Sequence, residues 1–322
     1  VSAGLTVIMP FHNLEAMVPT TLAALRRAGD ERVSYLFIDD ASTDHTADAL
    51  AAGVHRVPGA RLHRVEQNLG LSGVRNLGME LAETDHLTFL DGDDFVSGGY
   101  FSALLDAITA LGVPMLRTDH IVVEGRRRTV RRIPTGFRQG RIGSPREAIL
   151  PVDQPTAIDH PYAWAGIYHR SLAEQGLLRF DDLRTAEDRP WIWRLQLGVE
   201  AFSVPDVVGL HYRRDLPGSL SRVATSTQLD FVRSMQLVVE TVQADPEAER
   251  FLPKALRRWC ELTLHHLANL DRFTPEVRRT FTTLLGSALA AAPAEPMAET
   301  LAAMTPDRRG RITRLMAHAG GN

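Results

Sequence analysis

The chain has 322 residues, a formal net charge of −3, a single cysteine and 44% hydrophobic residues. That length and hydrophobic content suit a substantial buried core and exclude wholesale disorder. The lone Cys260 excludes a disulfide-stapled scaffold, and the near-neutral charge excludes a generic nucleic-acid coat.

The chain opens on a short apolar run, residues 1–9, with no basic leader and no small-residue cleavage site. It reads as a strand rather than a signal peptide, and the initial valine is compatible with a segment of a longer protein. Residues 5–11 (LTVIMPF) are apolar without interruption, as in a strand buried on both faces. Pro19 suits the first turn of a helix that runs towards Gly29. Residues 34–40 (SYLFIDD) form a second strand, with Ser42, Thr43 or Asp44 capping the next helix. Residues 60–66 are a third strand, 71–83 a helix, and 86–90 (HLTFL) a fourth strand. The β-α-β-α alternation predicts a mostly parallel sheet flanked by helices. Ligands of such sheets sit at the carboxyl ends of the strands. His12, Asn13, Asp39, Asp40 and residues 91–94 gather there.

Residues 113–117 and 201–204 are further strand candidates. Residues 126–132 (RRRTVRR) belong to a hairpin or loop. From about residue 225, apolar positions recur at helical spacing: Leu229, Val232, Met235, Val239 and Val242, then Leu252, Leu256, Trp259, Leu262 and His266, then Val277, Phe281, Leu284 and Ala288. The stretch 290–296 precedes a last helix over 297–304 and a tail. The expected organisation is an α/β domain over residues 1–224 and an all-α appendage over 225–322. No stretch approaches the ~20 consecutive apolar residues of a membrane span.

Five segments carry chemistry. LDGDD at 90–94 sets three carboxylates after a strand. Asp91 and Asp93 suit a hard divalent ion shared with diphosphate oxygens, or else the segment is only a turn. IDDASTD at 38–44 ends another strand in acids, where Asp39 and Asp40 can bond a ribose and base. NLGLSGVRNLG at 68–78 places Arg75 on a helix, facing a phosphate, a base or solvent. TAEDRPW at 185–191 puts Glu187 and Asp188 before Pro190, where a carboxylate facing a cleft can serve as a general base. HYRRDLPGSLSR at 211–222 offers His211, Arg213, Arg214, Ser219 and Ser221 to a diphosphate or metal.

In this order and spacing, together with LTVIMPFHN at the start, these segments resemble the family 2 glycosyltransferases with the GT-A (Rossmann-like) fold. The resemblance covers about residues 3–222. It implies an inverting transferase that uses a nucleotide-sugar, of UDP type by family precedent, with Mn²⁺ or Mg²⁺. It places Pro10 and His12 in the base pocket, where His12 stands in for the family's usual aromatic. It gives Asp39 and Asp40 to the base and ribose, with Asp40 on the base. Asp93 becomes the direct metal ligand and Asp91 a ribose or metal-water contact. Asp94 supports the donor sugar, and Asp188 is the base with Glu187 beside it. His211 completes the metal shell, and the loop with Arg213, Ser219 and Ser221 closes over the diphosphate. The implied acceptor is a hydroxyl of a teichoic-acid-like or capsular polymer, a glycan or polyol phosphate, and no nucleic acid is expected. The implied setting is cytoplasmic, compatible with peripheral association at the inner membrane face. The C-terminal helices are left to packing, oligomerisation, acceptor binding or a link to a further domain. Two rival readings are a non-catalytic sugar-nucleotide or glycan-binding module and a sugar nucleotidyltransferase. The first would lose the metal or base carboxylates. The second needs a glycine-rich basic loop after the first strand, where this chain has PFHNLEAM. The arginine run is either a solvated hairpin or a grip on a polyanionic acceptor.

Overall fold

The computed structural model describes residues 2–26, 30–137, 139–214 and 225–319. The first third alternates as expected: β1 (Ser2–Phe11), α1 (Val18–Leu25), β2 (Val33–Asp39), α2 (Thr46–Gly53), β3 (Ala60–Arg64), α3 (Gly70–Leu81) and β4 (Thr84–Phe89). The middle holds β5 (Phe95–Val96), α4 (Tyr100–Leu111), β6 (Met115–Arg117), β7 (His120–Glu124), β8 (Arg127–Arg131), β9 (Ile142–Gly143), β10 (Gly166–His169), α5 (Ser171–Glu174), α6 (Asp188–Gly198), β11 (Phe202–Ser203) and β12 (Leu210–Arg213). The helices α7 (Asp230–Gln243), α8 (Ala248–Leu267), α9 (Pro275–Ala290), α10 (Ala294–Ala302) and α11 (Pro306–Ala319) follow.

The main sheet runs β3-β2-β1-β4-β10-β6-β11-β9. Its first four strands are parallel, with Val7 opposite Tyr35 and Ile8 opposite Phe89, whereas β10 runs antiparallel to β4 and β6. The central strand β1 is buried on both faces: Leu5, Val7, Ile8 and Met9 have no exposed surface. That is why its sequence shows no alternation. Helix α3 packs on β1 and β2, and a Cβ at Gly78 would collide with the Ile8 side chain, so this glycine sets how closely helix and sheet approach. A second sheet, β5-β12-β7-β8, stands beside the first.

One buried apolar cluster runs from β1 through Trp191 of α6 into Met235, Val238 and Val242 of α7, Leu256 and Trp259 of α8, and Phe281 of α9. The expected boundary at 224/225 falls at the edge of residues 215–224, which lie outside the described residues. Lys254 Nζ, 3% exposed, reaches from α8 to the Gln154 carbonyl at 2.6 Å and to Asp159 at 3.2 Å. The tail expected beyond Met304 is instead helix α11, opened by Pro306 and seated on α9 and α8 through the fully buried Ile312. Ser42 and Thr43 do not cap α2. Their side chains turn to Asn13, and Asp44 takes the Thr46 N–H at 3.0 Å.

Candidate active site

The loops leaving β1 and β2 are laced together. Asn13 Oδ1 accepts the Thr43 N–H (2.8 Å), Ser42 Oγ accepts the Asn13 N–H, Thr46 Oγ1 accepts the Leu14 N–H (2.7 Å), and Glu15 Oε2 accepts the His45 N–H. Two residues of this lacing, Asn13 (φ 52°) and Ala41 (φ 51°), hold left-handed backbone. Such conformations cost free energy in non-glycine residues and persist only where the surroundings hold them. The result is a rigid floor carrying Pro10 and His12, whose Nδ1 donates to the Asp40 carbonyl at 2.8 Å.

The two acids ending β2 diverge. Asp40 points to α3: its carboxylate accepts the Leu69 N–H (2.7 Å), the Gly70 N–H (2.9 Å) and Asn68 Nδ2 (2.9 Å). It thus satisfies the free amides at the helix start, and three of its acceptor sites are already taken. Asp39 is 1% exposed, with Oδ2 3.8 Å from Arg64 Nε and Oδ1 without a hydrogen bond among the described residues. Asp40 lines the cleft, and Asp39 lies behind its wall.

At the end of β4, Asp91, Gly92 and Asp93 reach the cleft. A Cβ at Gly92 would lie 2.6 Å from Phe11 Cδ1 and 2.9 Å from the Pro10 carbonyl, so the turn needs glycine there. The turn is closed by the Asp94 N–H on the Asp91 carbonyl and pinned by Thr21 Oγ1 on the Gly92 carbonyl at 3.0 Å. Asp94 turns inward, 1% exposed, and accepts the Arg213 N–H at 2.7 Å. Burial, then the charges of Asp93 and Asp91, hold its carboxyl well above the usual range. Asp93 is pushed up to about 6 by burial and then by Asp91.

Arg75, 3% exposed on α3, joins the two acidic motifs. Its Nη2 donates to Asp91 Oδ1 at 2.9 Å and its Nη1 to Glu187 Oε1 at 3.0 Å, with the guanidinium 5.2 Å above the Phe180 ring. The expected phosphate or base contact of Arg75 therefore competes with two carboxylates already in place. Glu187 is pushed up to about 7, because burial outweighs the pull of Arg75. Asp188 opens α6 and faces the cleft, its Oδ1 3.8 Å from Arg189 Nε. The preceding Ala186 is left-handed (φ 59°). It is held by α7, where Ser234 Oγ donates to its carbonyl at 2.7 Å, while Thr185 Oγ1 bonds the Thr227 carbonyl and Asp230 accepts the Arg184 N–H. The C-terminal helices brace this turn.

These parts enclose a cleft of about 1200 Å³. Sequence reasoning passed over much of its lining: Asn68, Arg184, Tyr162, Trp164, Tyr212 and, from α7 and α8, Phe231 and His266. Asn68 and Tyr212 lay inside chemistry-bearing segments already named, and His266 was read only as part of a helical packing stripe. Tyr162 and Trp164 stack at 4.6 Å, with Tyr212 5.2 Å from Trp164. Arg213 lines the cleft with its guanidinium 4.8 Å from the Phe95 ring centroid. Ser219 and Ser221 lie outside the described residues. His211 stacks on Phe95 at 4.5 Å and shares a hydrogen bond with Ser97 Oγ; it does not join the acids at the cleft.

Among the described residues no group of three His, Cys, Asp or Glu side chains is arranged to hold a metal ion. The donor set nonetheless fits a cation that draws its remaining ligands from a bound diphosphate. Two neighbouring carboxylates, Asp91 and Asp93, face the cleft, and the raised Asp93 has no cationic side chain in ion-pair contact among the described residues.

A GT-A fold with acids at the ends of β2 and β4 and an acid-bearing turn at α6 defines the class, and sequence comparison agrees. The model of glycosyl transferase family 2 matches residues 6–175, and the chain belongs to that family. It is 26% identical over 234 residues to the uncharacterized glycosyltransferase EpsJ of Bacillus subtilis strain 168, spanning 70% of this chain and 65% of that protein. It is 24% identical over 247 residues to the poly(ribitol-phosphate) β-N-acetylglucosaminyltransferase TarS of Staphylococcus aureus strain Mu50, spanning 75% of this chain and 41% of that protein. The solved structure of S. aureus TarS residues 1–349 with UDP-GlcNAc superimposes with a TM-score of 0.76 at 18% identity, over 98% of this chain and 88% of that one. That is a likeness of fold.

Proposed function

We propose that this chain transfers a sugar from a nucleotide-sugar, of UDP type, to a hydroxyl of a cell-surface polymer, with inversion at the anomeric carbon. The observation that carries the reading is that Asp93 and Asp188 face one cleft, joined behind by the Asp91–Arg75–Glu187 bridge. The acceptor oxygen attacks the anomeric carbon as the bond to the diphosphate oxygen breaks, and its proton passes to Asp188. Glu187, held by Arg75, fixes the start of α6 and so the position of Asp188. Asp93 and Asp91 would hold a Mn²⁺ or Mg²⁺ ion, whose charge would stabilise the departing diphosphate. Pro10, His12 and the Asp40–Asn68 cap shape the base pocket. The catalytic unit spans residues 1–224, and the helices of 225–322 brace its turn at Ala186. The neighbour solved with UDP-GlcNAc supports the donor class, and the polymer named for TarS supports the acceptor class. Among the described residues no helix is long and apolar enough to cross a membrane; action on a cytosolic nucleotide-sugar at the inner membrane face is the setting we propose.

The test is a donor-hydrolysis screen across sugar nucleotides with Mn²⁺, Mg²⁺ or chelator, repeated with Asp188→Asn. Transfer should fall about 10²–10⁴-fold in the variant, the usual worth of a general base, while calorimetric donor binding stays within about twofold. Near-normal turnover would remove Asp188 from the role.

A further inference from the structure

The arginine run 126–132 is not used by the chemistry above. It forms the turn and outer strand of the β7–β8 hairpin. Arg126, Arg127, Arg128 and Arg131 are all exposed, and β8 is the edge of the small sheet. Register decides where these side chains go. Glu124 stands opposite Arg127, Val122 opposite Thr129 and His120 opposite Arg131, while Tyr212 of β12 stands beside Val122. Directly opposed residues share a face of a sheet. One face therefore carries Tyr212, Val122, His120, Arg127 and Arg131 together with Glu124, whose carboxylate is held by Arg214, and the other carries Arg128 and Val130.

The first face is the one that meets the cleft's aromatic wall. The His120 ring lies 4.9 Å from Trp164 and 5.5 Å from Tyr162, both edge-on, and Tyr162, Trp164 and Tyr212 line the cleft. Neighbouring arginines are already engaged: Arg132 pairs with Asp119 at 3.1 Å, Arg214 with Glu124 at 3.3 Å, and Arg128 donates to the Gly125 carbonyl. Among the described residues no carboxylate lies within ion-pair distance of Arg127 or Arg131.

The outer rings of this stack, the half-buried Tyr162 and Tyr212, offer flat surfaces to the C–H faces of sugars and polyols. Exposed guanidinium groups offer paired donors to phosphate oxygens. A single sheet face with cations at its rim and rings at its inner end matches a polymer that alternates hydroxylated units with phosphodiesters. We propose that Arg127 and Arg131, in line with the half-buried Tyr212 and Tyr162 that flank the buried Trp164, form a track that guides a phosphodiester-linked acceptor polymer to Asp188. The inference rests on the transferase reading and names its acceptor class.

The experiment uses the full chain, a synthetic ribitol-phosphate oligomer and, as the uncharged arm, a neutral glycan oligomer of similar length. Arg127→Gln with Arg131→Gln should raise the half-saturating oligomer concentration at least tenfold at low salt. It should also flatten the plot of log affinity against log salt by about one unit, as expected when one or two phosphate contacts are lost. Arg308→Gln with Arg309→Gln, exposed on α11, is the charge-matched comparison and should leave both quantities unchanged. Tyr212→Leu should weaken the oligomer without changing the salt slope, which separates stacking from charge. Calorimetric donor binding checks that each variant is folded. Unchanged affinity and slope in the double arginine variant would overturn the track. So would loss of binding only to phosphatidylserine vesicles, which would make the hairpin a membrane contact. Transfer to the neutral glycan with the phosphodiester oligomer ignored would sink this inference alone, whereas absence of transfer to any acceptor with any donor would sink the transferase reading beneath it.

Discussion

Removing Arg75 tests the junction on which the proposed site depends. Its guanidinium is the cationic partner shared by Glu187, 7% exposed, and Asp91. Arg75→Met keeps most of the volume against Phe180 and Phe89 but leaves Glu187 without its counter-charge. Breaking a buried ion pair from one side typically costs about 3–5 kcal/mol. At roughly 2 °C per kcal/mol for a chain of this size, the melting temperature should drop by about 6–10 °C. The loss should depend on pH in one direction. The Glu187 carboxyl sits at about 7 in the folded protein, above its ordinary 4.5. Its contribution to wild-type stability is therefore full below about 4.5 and is lost as pH rises through about 7. Without Arg75 burial raises this carboxyl further, so the deficit of the variant should be small near pH 5 and widen above about pH 7. Arg75→Met with Glu187→Gln should recover most of the high-pH loss, because no buried charge is then left unpaired. Thermal melts from pH 5 to pH 9 read all three proteins. A deficit of equal size across that range, or none at all, would refute the account of the bridge as a buried electrostatic link.

Gly92→Ala should displace the turn at the end of β4, since a Cβ there meets Phe11 and the Pro10 carbonyl. The expected cost is about 1–3 kcal/mol in a denaturant melt, with donor binding weakened at least tenfold by calorimetry. Unimpaired donor binding would separate this turn from the nucleotide site. Ser234→Ala removes the bond to the Ala186 carbonyl. It should lower stability by about 1 kcal/mol and reduce kcat several-fold with donor affinity unchanged; an unaltered kcat would show that the Ala186 turn holds without α7.

The parallel half of the sheet was legible because β1, β2 and β4 are buried on both faces and their runs of Val, Ile, Leu and Phe announce it. The crossover half was legible only in part: the candidates at 113–117 and 201–204 coincide with β6 and β11, whereas β5, β9 and β10 gave no signal. β10 enters the sheet antiparallel through four residues, Gly166–His169, and β5 and β9 are two residues each. Strands that short carry no periodicity. Their existence is decided by the neighbours they pair with. Helix α11 escaped for a related reason: its buried stripe is little more than Ile312, Leu315 and Met316 amid arginines, enough to pack on α9 but too thin to read as amphipathic.

Within the site, the sequence marked the acids but not their directions. Asp39 and Asp40 are adjacent and chemically identical, yet one lies behind the cleft wall against Arg64 and the other caps α3. The difference follows from where pairing stops. Asp39 is the last residue of β2 in register with Phe11, whereas Asp40 begins the loop and can turn towards the free amides of α3. The same logic separates Asp93 from Asp94, because the turn closed on the Asp91 carbonyl carries Asp94 under the Arg213 amide. The arginine bias resolves along similar lines. Only Lys254 of the 36 basic residues is a lysine, and its compact ammonium fits a pocket of carbonyls and Asp159. Buried arginines instead span two partners at once: Arg75 bridges Asp91 and Glu187, and Arg117, with no exposed surface, bridges the Tyr168 hydroxyl and the His160 carbonyl. A lysine at either place has one ammonium for two separated acceptors, so the arginine there answers to geometry whatever the composition of the chain.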